Sequence, residues 1–524
     1  MTATPQVRIC VPVCEANTRD LIDAFGRAAK VADIVELRLD YLDENELQSA
    51  EPAISNLISM SSCPIIITYR PAEQGGHGNI SLQERQSFIQ RPRAEGSSLE
   101  STHYIDIESD LAVLFQAGGG TFNEGTGQDL DWNNVICSHH DFAGVPQDLE
   151  RIYNLIASTP ARVLKIAVQA DDVTDCLAVF KLLARARADG REMIAIAMGP
   201  AGLATRIIGP SRGSFLTYAS LDTDHGTAPG QVTASEMREL YRVEKIDRET
   251  QITGLVGFPV THSVSPAIHN AALKSSGVNG VYLPFPVREL GSFVRRMIHP
   301  RTREIDWRMR GLSITTPHKA KVMNFLDWID DGAKEIGAVN TVVVEGDALH
   351  GYNTDAAAFL QVLIENFGTL RDANCAVLGS GGAAAAVLWG LEKKGARVTV
   401  FARDRQKAET LAKRFGASDA ALESARFAAF DVVINCTTLG TSGSLEKETP
   451  ATAAQLRGAR LAYDLVYNPA ETRFLSEAAA AGCKTVGGLS MLIAQAAEQY
   501  TLWTGLQAPK QLMTHFALKA LQGE

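Results

Sequence analysis

The chain is 524 residues long, with 21% charged residues, 45% hydrophobic residues and a formal net charge of -10. That length exceeds what one hydrophobic core serves, so two or three domains are expected. The acidic balance argues against nucleic acid or an anionic membrane as a main partner, and leaves room for local basic pockets that take small anions. Eight cysteines (Cys10, Cys14, Cys63, Cys137, Cys176, Cys375, Cys436 and Cys483) are scattered without a C-x-x-C pair. They read as reduced core residues of a cytoplasmic protein, with no zinc site and no disulfide framework. The N-terminus runs straight into the strand-like Val7 to Val13, and no secretory leader or membrane span is expected.

In the first half, short β-rich runs recur at Arg8 to Val13, Ile34 to Asp40, Pro64 to Arg70, Tyr104 to Ser109, Asn134 to His140, Arg162 to Val168, Glu192 to Gly199 and Phe215 to Ser220. Stretches with helical spacing, such as Thr18 to Ala32 and Val173 to Asp189, lie between most of them. Eight strand-then-helix units predict an α/β fold, a closed (β/α)8 TIM barrel.

A barrel of this kind builds its site at the carboxyl ends of its strands, and the polar residues obey that rule. Glu36, Arg38 and Asp40 alternate along the second strand and share one face. Thr68 and Arg70 end the third, Asp106 and Glu108 the fourth, and Ser138 to Phe142 the fifth. Lys165 stands inside the apolar run Arg162-Val163-Leu164-Lys165-Ile166-Ala167-Val168. Burial disfavours its charged form and favours a nucleophilic amine suited to a Schiff base. An isolated lysine here reads first as a strand-end side chain reaching solvent, but His140 on the adjacent strand and the nearby arginines reverse that order. As a set these residues predict a pocket for a small keto acid, its carboxylate held by guanidinium groups. Glu36 and Asp40 also fit a structural salt bridge inside the barrel.

E-x-R-x-D at Glu36 to Asp40, T-x-R at Thr68 to Arg70, S-x-H-D-F at Ser138 to Phe142, K-I-A at Lys165 to Ala167, Arg206, and A-P-G-Q at Ala228 to Gln231 carry a family resemblance. Together they resemble type I 3-dehydroquinate dehydratase over about the first 240 residues. The resemblance implies that Lys165 forms an imine with the ketone of 3-dehydroquinate and that His140 removes the α-proton. Loss of water then gives 3-dehydroshikimate, the imine serving as electron sink and the histidine as base and acid. Glu36, Arg38, Arg70 and Arg206 would bind the substrate, with Thr227 and Gln231 closing the site. One position departs from the family: Gln74 stands where R-x-x-x-E-G-G has a glutamate that orients the histidine. An amide can accept from His140 but supplies no charge, so the base is expected to titrate lower. His139 reads as a loop or core histidine.

After a polar link, Arg242 to Gln251, the style of the chain changes. GLVGFPVTHSVSPAIHN places Ser263 and Ser265 just before a helix starting near Pro266, where hydroxyls and free N–H groups suit a carboxylate. Thr315 and Lys319 follow in GLSITTPHK, Asn340 in IGAVNT and Asp355 in GYNTD. Helix caps and a solvated lysine are the plain alternatives, and the density of polar groups favours a second small-molecule site. Asn374 to Leu378 then reads as a buried strand before Gly379-Ser380-Gly381-Gly382-Ala383, a glycine turn that brings a diphosphate to a helix N-terminus. A second strand, Arg397 to Phe401, ends at Ala402-Arg403-Asp404-Arg405-Gln406-Lys407. Arg403, with Lys407 or Arg405, points to the 2'-phosphate of NADP, and Asp404 works against it.

These segments, with NCTTLG at Asn435 to Gly440, DLVYNP at Asp464 to Pro469 and Gly488 to Gln495, resemble shikimate dehydrogenase from about residue 250 onward. The resemblance implies a two-lobed unit with a Rossmann NADP-binding lobe. Lys319 and Asp355 would be its catalytic pair, and Ser263, Ser265, Thr315, Asn340, Tyr467 and Gln495 would hold the substrate. Gly379, Ser380, Gly381, Gly382, Ala383, Arg403, Lys407, Leu465 and Gly488 would bind NADP(H). Ser313 replaces the family's usual asparagine, and plant-type fusions share that serine and this domain order.

The expected division is a barrel over 1–244, a substrate lobe over 250–365 joined by helices at about 490–524, and a Rossmann lobe over 366–489. The expected function is a bifunctional lyase and oxidoreductase on the way to chorismate and the aromatic amino acids. Its partners would be 3-dehydroquinate, 3-dehydroshikimate and shikimate, with a homodimer left open. The alternatives are a catabolic, NAD-using quinate or shikimate dehydrogenase and a non-catalytic metabolite sensor.

Overall fold

The computed structural model describes residues 7–90, 103–116, 130–222, 231–260, 263–422 and 425–523. They form two compact units. The first runs up to Thr250 and adds Phe285–Met297 and Glu304–Trp307, and the second holds the remainder.

The first unit is built on eight parallel strands: β1 (Ile9–Val13), β2 (Ile34–Arg38), β3 (Ile65–Thr68), β4 (Tyr104–Glu108), β5 (Val135–Asp141), β6 (Val163–Gln169), β7 (Glu192–Met198) and β8 (Thr217–Tyr218). From β1 to β7 each pairs with its neighbour in sequence, and β8 pairs with β1. A bridge from Met193 to Ser214, the residues entering β8, nearly closes the ring. The strands are buried on both faces, which is why they read as continuous apolar runs. Inside the ring Cys10, Ile34, Ile66, Tyr104, Ile136, Val163, Ile194 and Leu216 pack as an apolar plug. Two positions further along six of these strands, toward the carboxyl ends, stand Glu36, Thr68, Asp106, Ser138, Lys165 and Tyr218, all buried. Because side chains alternate, the plug and this polar set face the same interior.

Three expectations change. β8 is two residues long where six were expected, its pairing with β1 being confined to Ile9 and Cys10. Asp40 lies past the end of β2, on a 3-10 turn over Leu39–Tyr41, so it does not extend the face shared by Glu36 and Arg38. Gln251 belongs to a strand, leaving Val243–Lys245 as a single 3-10 turn within the shortened link.

The second unit has two sheets. β9 (Gln251–Gly257), β10 (Gly280–Pro286), β11 (Arg308–Ile314), β12 (Trp328–Ile329), β13 (Thr341–Glu345) and β14 (Ala348–Tyr352) form one, in the order β10-β9-β11-β13-β14-β12. β9 and β11 run parallel, whereas β13 is antiparallel to both β11 and β14. The second sheet is wholly parallel: β15 (Asn374–Leu378), β16 (Arg397–Ala402), β17 (Ser418–Ala421), β18 (Val432–Asn435), β19 (Leu461–Asp464) and β20 (Lys484–Val486). Its order, β17-β16-β15-β18-β19-β20, is the 3-2-1-4-5-6 arrangement of a dinucleotide-binding fold. The last two helices, Leu489–Thr504 and Lys510–Gln522, contribute Leu492, Tyr500, Trp503, Met513 and Ala517 to a core shared with Leu255, Ile268 and Tyr282 of the mixed-sheet lobe. Among the described residues no helix is long and apolar enough to cross a membrane.

Gly311 in β11 is fixed by that packing, since a Cβ there would lie 2.1 Å from Trp503 Nε1 and 2.6 Å from the Val342 carbonyl oxygen. Gly311→Ala is expected to destabilise the second unit by about 1–3 kcal/mol. A lowered urea midpoint checks this, and an unchanged one refutes it.

Candidate active sites

In the barrel mouth β6 presents Lys165, only 4% exposed. Its Nζ donates to Asp106 Oδ2 at 2.8 Å and to the Tyr218 hydroxyl at 2.8 Å, and lies 3.6 Å from Glu36 Oε1. The amine thus stands within an apolar strand, and β4 sets a carboxylate against it. Burial pushes the Asp106 carboxyl up, but Arg70 and Lys165 outweigh burial and lower it to about 2. Arg70 bonds Asp106 and Glu108, both at 2.8 Å, and donates to Ser138 Oγ at 2.7 Å. Arg38 forms a bidentate pair with Asp40 at 2.9 and 2.8 Å. Two of the three guanidinium groups expected to grip substrate thus already hold protein carboxylates, and Asp40 serves the structural salt bridge.

Arg206 differs. It is 2% exposed, and among the described residues its Nε has no partner and its guanidinium makes one hydrogen bond, a 3.4 Å contact to the Tyr218 carbonyl. Among the described residues it pairs with no carboxylate, and burial pushes its guanidinium down to about 10. It lines the same cavity as Lys165, His140, Gln74, Glu36, Arg38, Arg70 and Gln231. Thr227 lies outside the described residues.

His140 takes its orientation from Gln74. The His140 backbone N–H donates to Gln74 Oε1 at 3.1 Å, and ring Nδ1 stands 3.4 Å from the same oxygen. A carbonyl oxygen only accepts, so it selects the tautomer with hydrogen on Nδ1 and leaves Nε2 with its lone pair free. Burial, followed by the cations Arg70, Lys165 and Arg38, holds the imidazole well below 6.5. Gly75 makes the loop that carries Gln74: its φ is +73°, and a Cβ there would strike the Phe142 ring at 2.1 Å.

In the second unit Lys319 Nζ meets Asp355 Oδ2 at 2.5 Å, and Asn340 Nδ2 donates to Asp355 Oδ1 at 2.8 Å. Asp355 opens the helix Asp355–Phe367, where the helix dipole favours a carboxylate. Asn340 also reaches Gln495 Oε1 at 3.4 Å. Ser263 and Ser265 bond each other at 3.1 Å. Burial pushes the Tyr467 phenol up, and its hydrogen bond to Ser263 opposes that shift. Thr315 leaves β11 with its N–H on the Val256 carbonyl at 2.8 Å, four residues before Lys319. Sequence reasoning missed Gln499, which accepts from Ser313 Oγ at 2.8 Å and donates to Thr341 Oγ1 at 3.1 Å. Its only signal is its place one helical turn after Gln495.

The glycine turn fits a dinucleotide. Gly379 has φ +114°, and a Cβ there would meet Cys436 and Thr437 at 3.1–3.2 Å. A Cβ on Gly381 or Gly382 would meet nothing within 4 Å, so open space faces the start of the helix Gly382–Lys393, where Gly381 gives no side-chain cap and Ala383 lies in the first turn. Ser380 lies between these glycines. At the end of β16 Arg403 is exposed and pairs with no carboxylate among the described residues. Asp404 caps the next helix through the Lys407 N–H at 3.1 Å, and its other oxygen lies 3.1 Å from Lys407 Nζ. The carboxylate expected to oppose a 2'-phosphate is thus turned to its own helix, and Lys407 is partly neutralised by it. A Cβ on Gly488 would lie 2.4 Å from the Leu465 carbonyl oxygen, so these two cofactor candidates meet at the carboxyl end of β19.

A parallel barrel with a buried lysine beside a histidine, followed by a dinucleotide fold with a lysine–aspartate pair, defines an enzyme with two active sites on one chain. The model of type I 3-dehydroquinase matches residues 9–248. Those of the shikimate dehydrogenase substrate binding domain, shikimate/quinate 5-dehydrogenase and the shikimate 5'-dehydrogenase C-terminal domain match 255–342, 361–466 and 488–515. A chloroplastic bifunctional 3-dehydroquinate dehydratase/shikimate dehydrogenase of Arabidopsis thaliana is 32% identical over 526 residues, covering 96% of this chain and 83% of its own. Shikimate dehydrogenases (NADP(+)) of Methanococcus aeolicus and Oleidesulfovibrio alaskensis are 37% and 41% identical, covering 53% and 49% of this chain and 100% and 91% of theirs. The chain belongs to the bifunctional 3-dehydroquinate dehydratase/shikimate dehydrogenase family, a lyase and an oxidoreductase of the shikimate pathway.

Replacing Gln74 with glutamate sets a charge against Nδ1 and stabilises the imidazolium. In Gln74→Glu the acid limb of the dehydratase kcat/KM profile is expected to rise by roughly one pH unit from a starting point below 6.5. A limb that stays in place would separate Gln74 from the base.

Proposed function

We propose that the first unit dehydrates 3-dehydroquinate through an imine on Lys165 and that the second reduces the resulting 3-dehydroshikimate to shikimate with NADPH. The observation that carries the first step is Lys165, buried in one cavity with a histidine whose Nδ1 faces the Gln74 carbonyl oxygen and with a buried Arg206 that pairs with no carboxylate among the described residues. The substrate carboxylate supplies the counter-charge Arg206 lacks. His140 Nε2 takes the proton α to the imine and returns it to the departing hydroxyl. Glu36, Arg38, Arg70, Gln231 and Thr227 bind the hydroxyls and close the site.

In the second unit Lys319 donates a proton to the developing alkoxide, and Asp355, fixed by Asn340, holds the ammonium in place. Ser263, Ser265, Thr315, Tyr467 and Gln495 hold the ring and carboxylate. NADPH at the glycine turn supplies the hydride. Gly379, Ser380, Gly381, Gly382 and Ala383 would receive its diphosphate, Arg403 and Lys407 its 2'-phosphate, and Leu465 and Gly488 would line its nicotinamide end.

The division into 1–244, 250–365 with 490–524, and 366–489 is proposed on the same footing, supported by the core that the last helices share with β9. A cytoplasmic enzyme is supported by eight free thiols. A homodimer rests on the family resemblance alone.

Borohydride reduction in the presence of 3-dehydroquinate should fix the substrate to Lys165, read as a mass increase on its peptide. Lys165→Ala should abolish the adduct and leave the dehydrogenase rate intact. A wild-type peptide of unchanged mass would sink the imine. For the cofactor, Arg403→Gln should lower kcat/KM for NADPH by about tenfold while sparing NADH, as expected for one lost phosphate contact. Wild-type rates with NADH equal to or above those with NADPH would overturn the NADP assignment.

A further inference from the structure

We propose that Tyr218 is a positioning residue of the dehydratase, its hydroxyl acting with Asp106 to aim the Lys165 amine at the substrate ketone. This rests on the reading of Lys165 as the imine-forming lysine. Tyr218 comes from β8, across the ring from Asp106 on β4, and is 5% exposed. Its hydroxyl lies 2.8 Å from Lys165 Nζ, and its ring centroid lies 4.6 Å from the same atom.

The argument is one of directions at nitrogen. A neutral lysine amine has one bond to Cε, two N–H bonds and one lone pair at the corners of a tetrahedron. Asp106 Oδ2 takes one N–H and the Tyr218 oxygen takes the other. Glu36 Oε1, at 3.6 Å, is beyond hydrogen-bond reach and is already bonded by Thr68 Oγ1 at 2.6 Å. With two corners anchored, rotation about Cε–Nζ is fixed and the lone pair takes the remaining corner, on the cavity side that Lys165 lines. Asp106 alone would leave the amine free to swing about a single anchor.

Tyr218 OH donates to nothing among the described residues, and a phenylalanine would fill the same space. Burial, with Glu36 beside it, pushes the phenol well above 10, so it stays neutral and keeps both a lone pair and a proton to offer. In the step itself the lone pair of Nζ forms the bond to the ketone carbon and the C–O bond breaks. Amine plus ketone gives imine plus water, and the two hydrogens that leave with the oxygen are those Asp106 and Tyr218 hold in the free enzyme. Neither group changes protonation across the whole step.

Tyr218→Phe tests this, with the dehydrogenase activity of the same chain as an internal control for folding. Dehydratase kcat should fall about ten- to hundredfold with KM changed by less than about twofold, the size expected for one lost hydrogen bond to a charged or reacting group. Imine formation should then limit the rate. The kinetic isotope effect from substrate deuterated at the abstracted position should fall toward unity, and borohydride trapping should slow in step with kcat. A purely structural role would not move the isotope effect. Unchanged kcat and isotope effect in Tyr218→Phe, with wild type still trapped on Lys165, would overturn the proposal, whereas wild type that is never trapped overturns the imine itself. If Tyr218→Phe does not fold, Tyr218→Gln and Tyr218→Leu give the same contrast. The amide oxygen should retain at least about tenfold more kcat than leucine, and equal rates count against Tyr218.

Discussion

Asp106 lies between Arg70 and Lys165 in the interior of the barrel, 1% exposed, and each of the three needs the other two. Charges this deep survive only as a mutually bonded set; stripping one partner from such a set costs about 3–5 kcal/mol. The ring extends through Glu108, which Arg85 also holds at 2.7 Å, and through Ser138, which donates to Asp106 Oδ1 at 2.5 Å. Four neighbouring strands are thereby tied together at one level, just above the apolar plug. The lysine is held in register by the same bonds that make its burial tolerable, so stability and reactivity in this unit have one source.

The second unit solves a related problem with neutral groups. A chain of hydrogen bonds runs from Ser265 to the Tyr282 hydroxyl, to Ser313, to Gln499, to Asn340 and on to Asp355 and Lys319. Ser313 is short enough to stand between Tyr282 and Gln499 at 2.8 Å from each, which gives its departure from the family's usual asparagine a physical reason. Burial of such a chain is tolerated because each member is satisfied. It joins the first residue of the helix Ser265–Ser275 to the lysine–aspartate pair through the mixed sheet and the helix Leu489–Thr504.

Both architectures could be read from periodicity, since buried parallel strands leave long apolar runs and the glycine turn after β15 has a fixed chemistry. Lys165 and His140 were legible as candidates because polar residues set in apolar strands stand out, and Lys319 and Asp355 because they sit in polar motifs beside apolar strands. Pairing was not legible. Nothing in the order of residues says that Arg38 and Arg70 already hold carboxylates while Arg206 pairs with none among the described residues, because that depends on which strands lie side by side across the ring. Tyr218 escaped notice because a tyrosine in a strand reads as core packing, and only its distance from Nζ gives its hydroxyl a meaning. Asp404 was misjudged because helix capping competes with ligand contact for the same carboxylate.

The buried guanidinium of Arg206, which pairs with no carboxylate among the described residues, also bears on what the barrel would admit if the proposed dehydratase reading holds. Water serves it poorly at 2% exposure, and the described residues offer its guanidinium one carbonyl. A neutral ring of the right shape would seal that cation away from solvent and leave it uncompensated, whereas an anionic one removes the deficit on arrival. In the proposed reading, discrimination against uncharged look-alikes would then rest on an electrostatic demand present before any part of the ligand reaches Lys165.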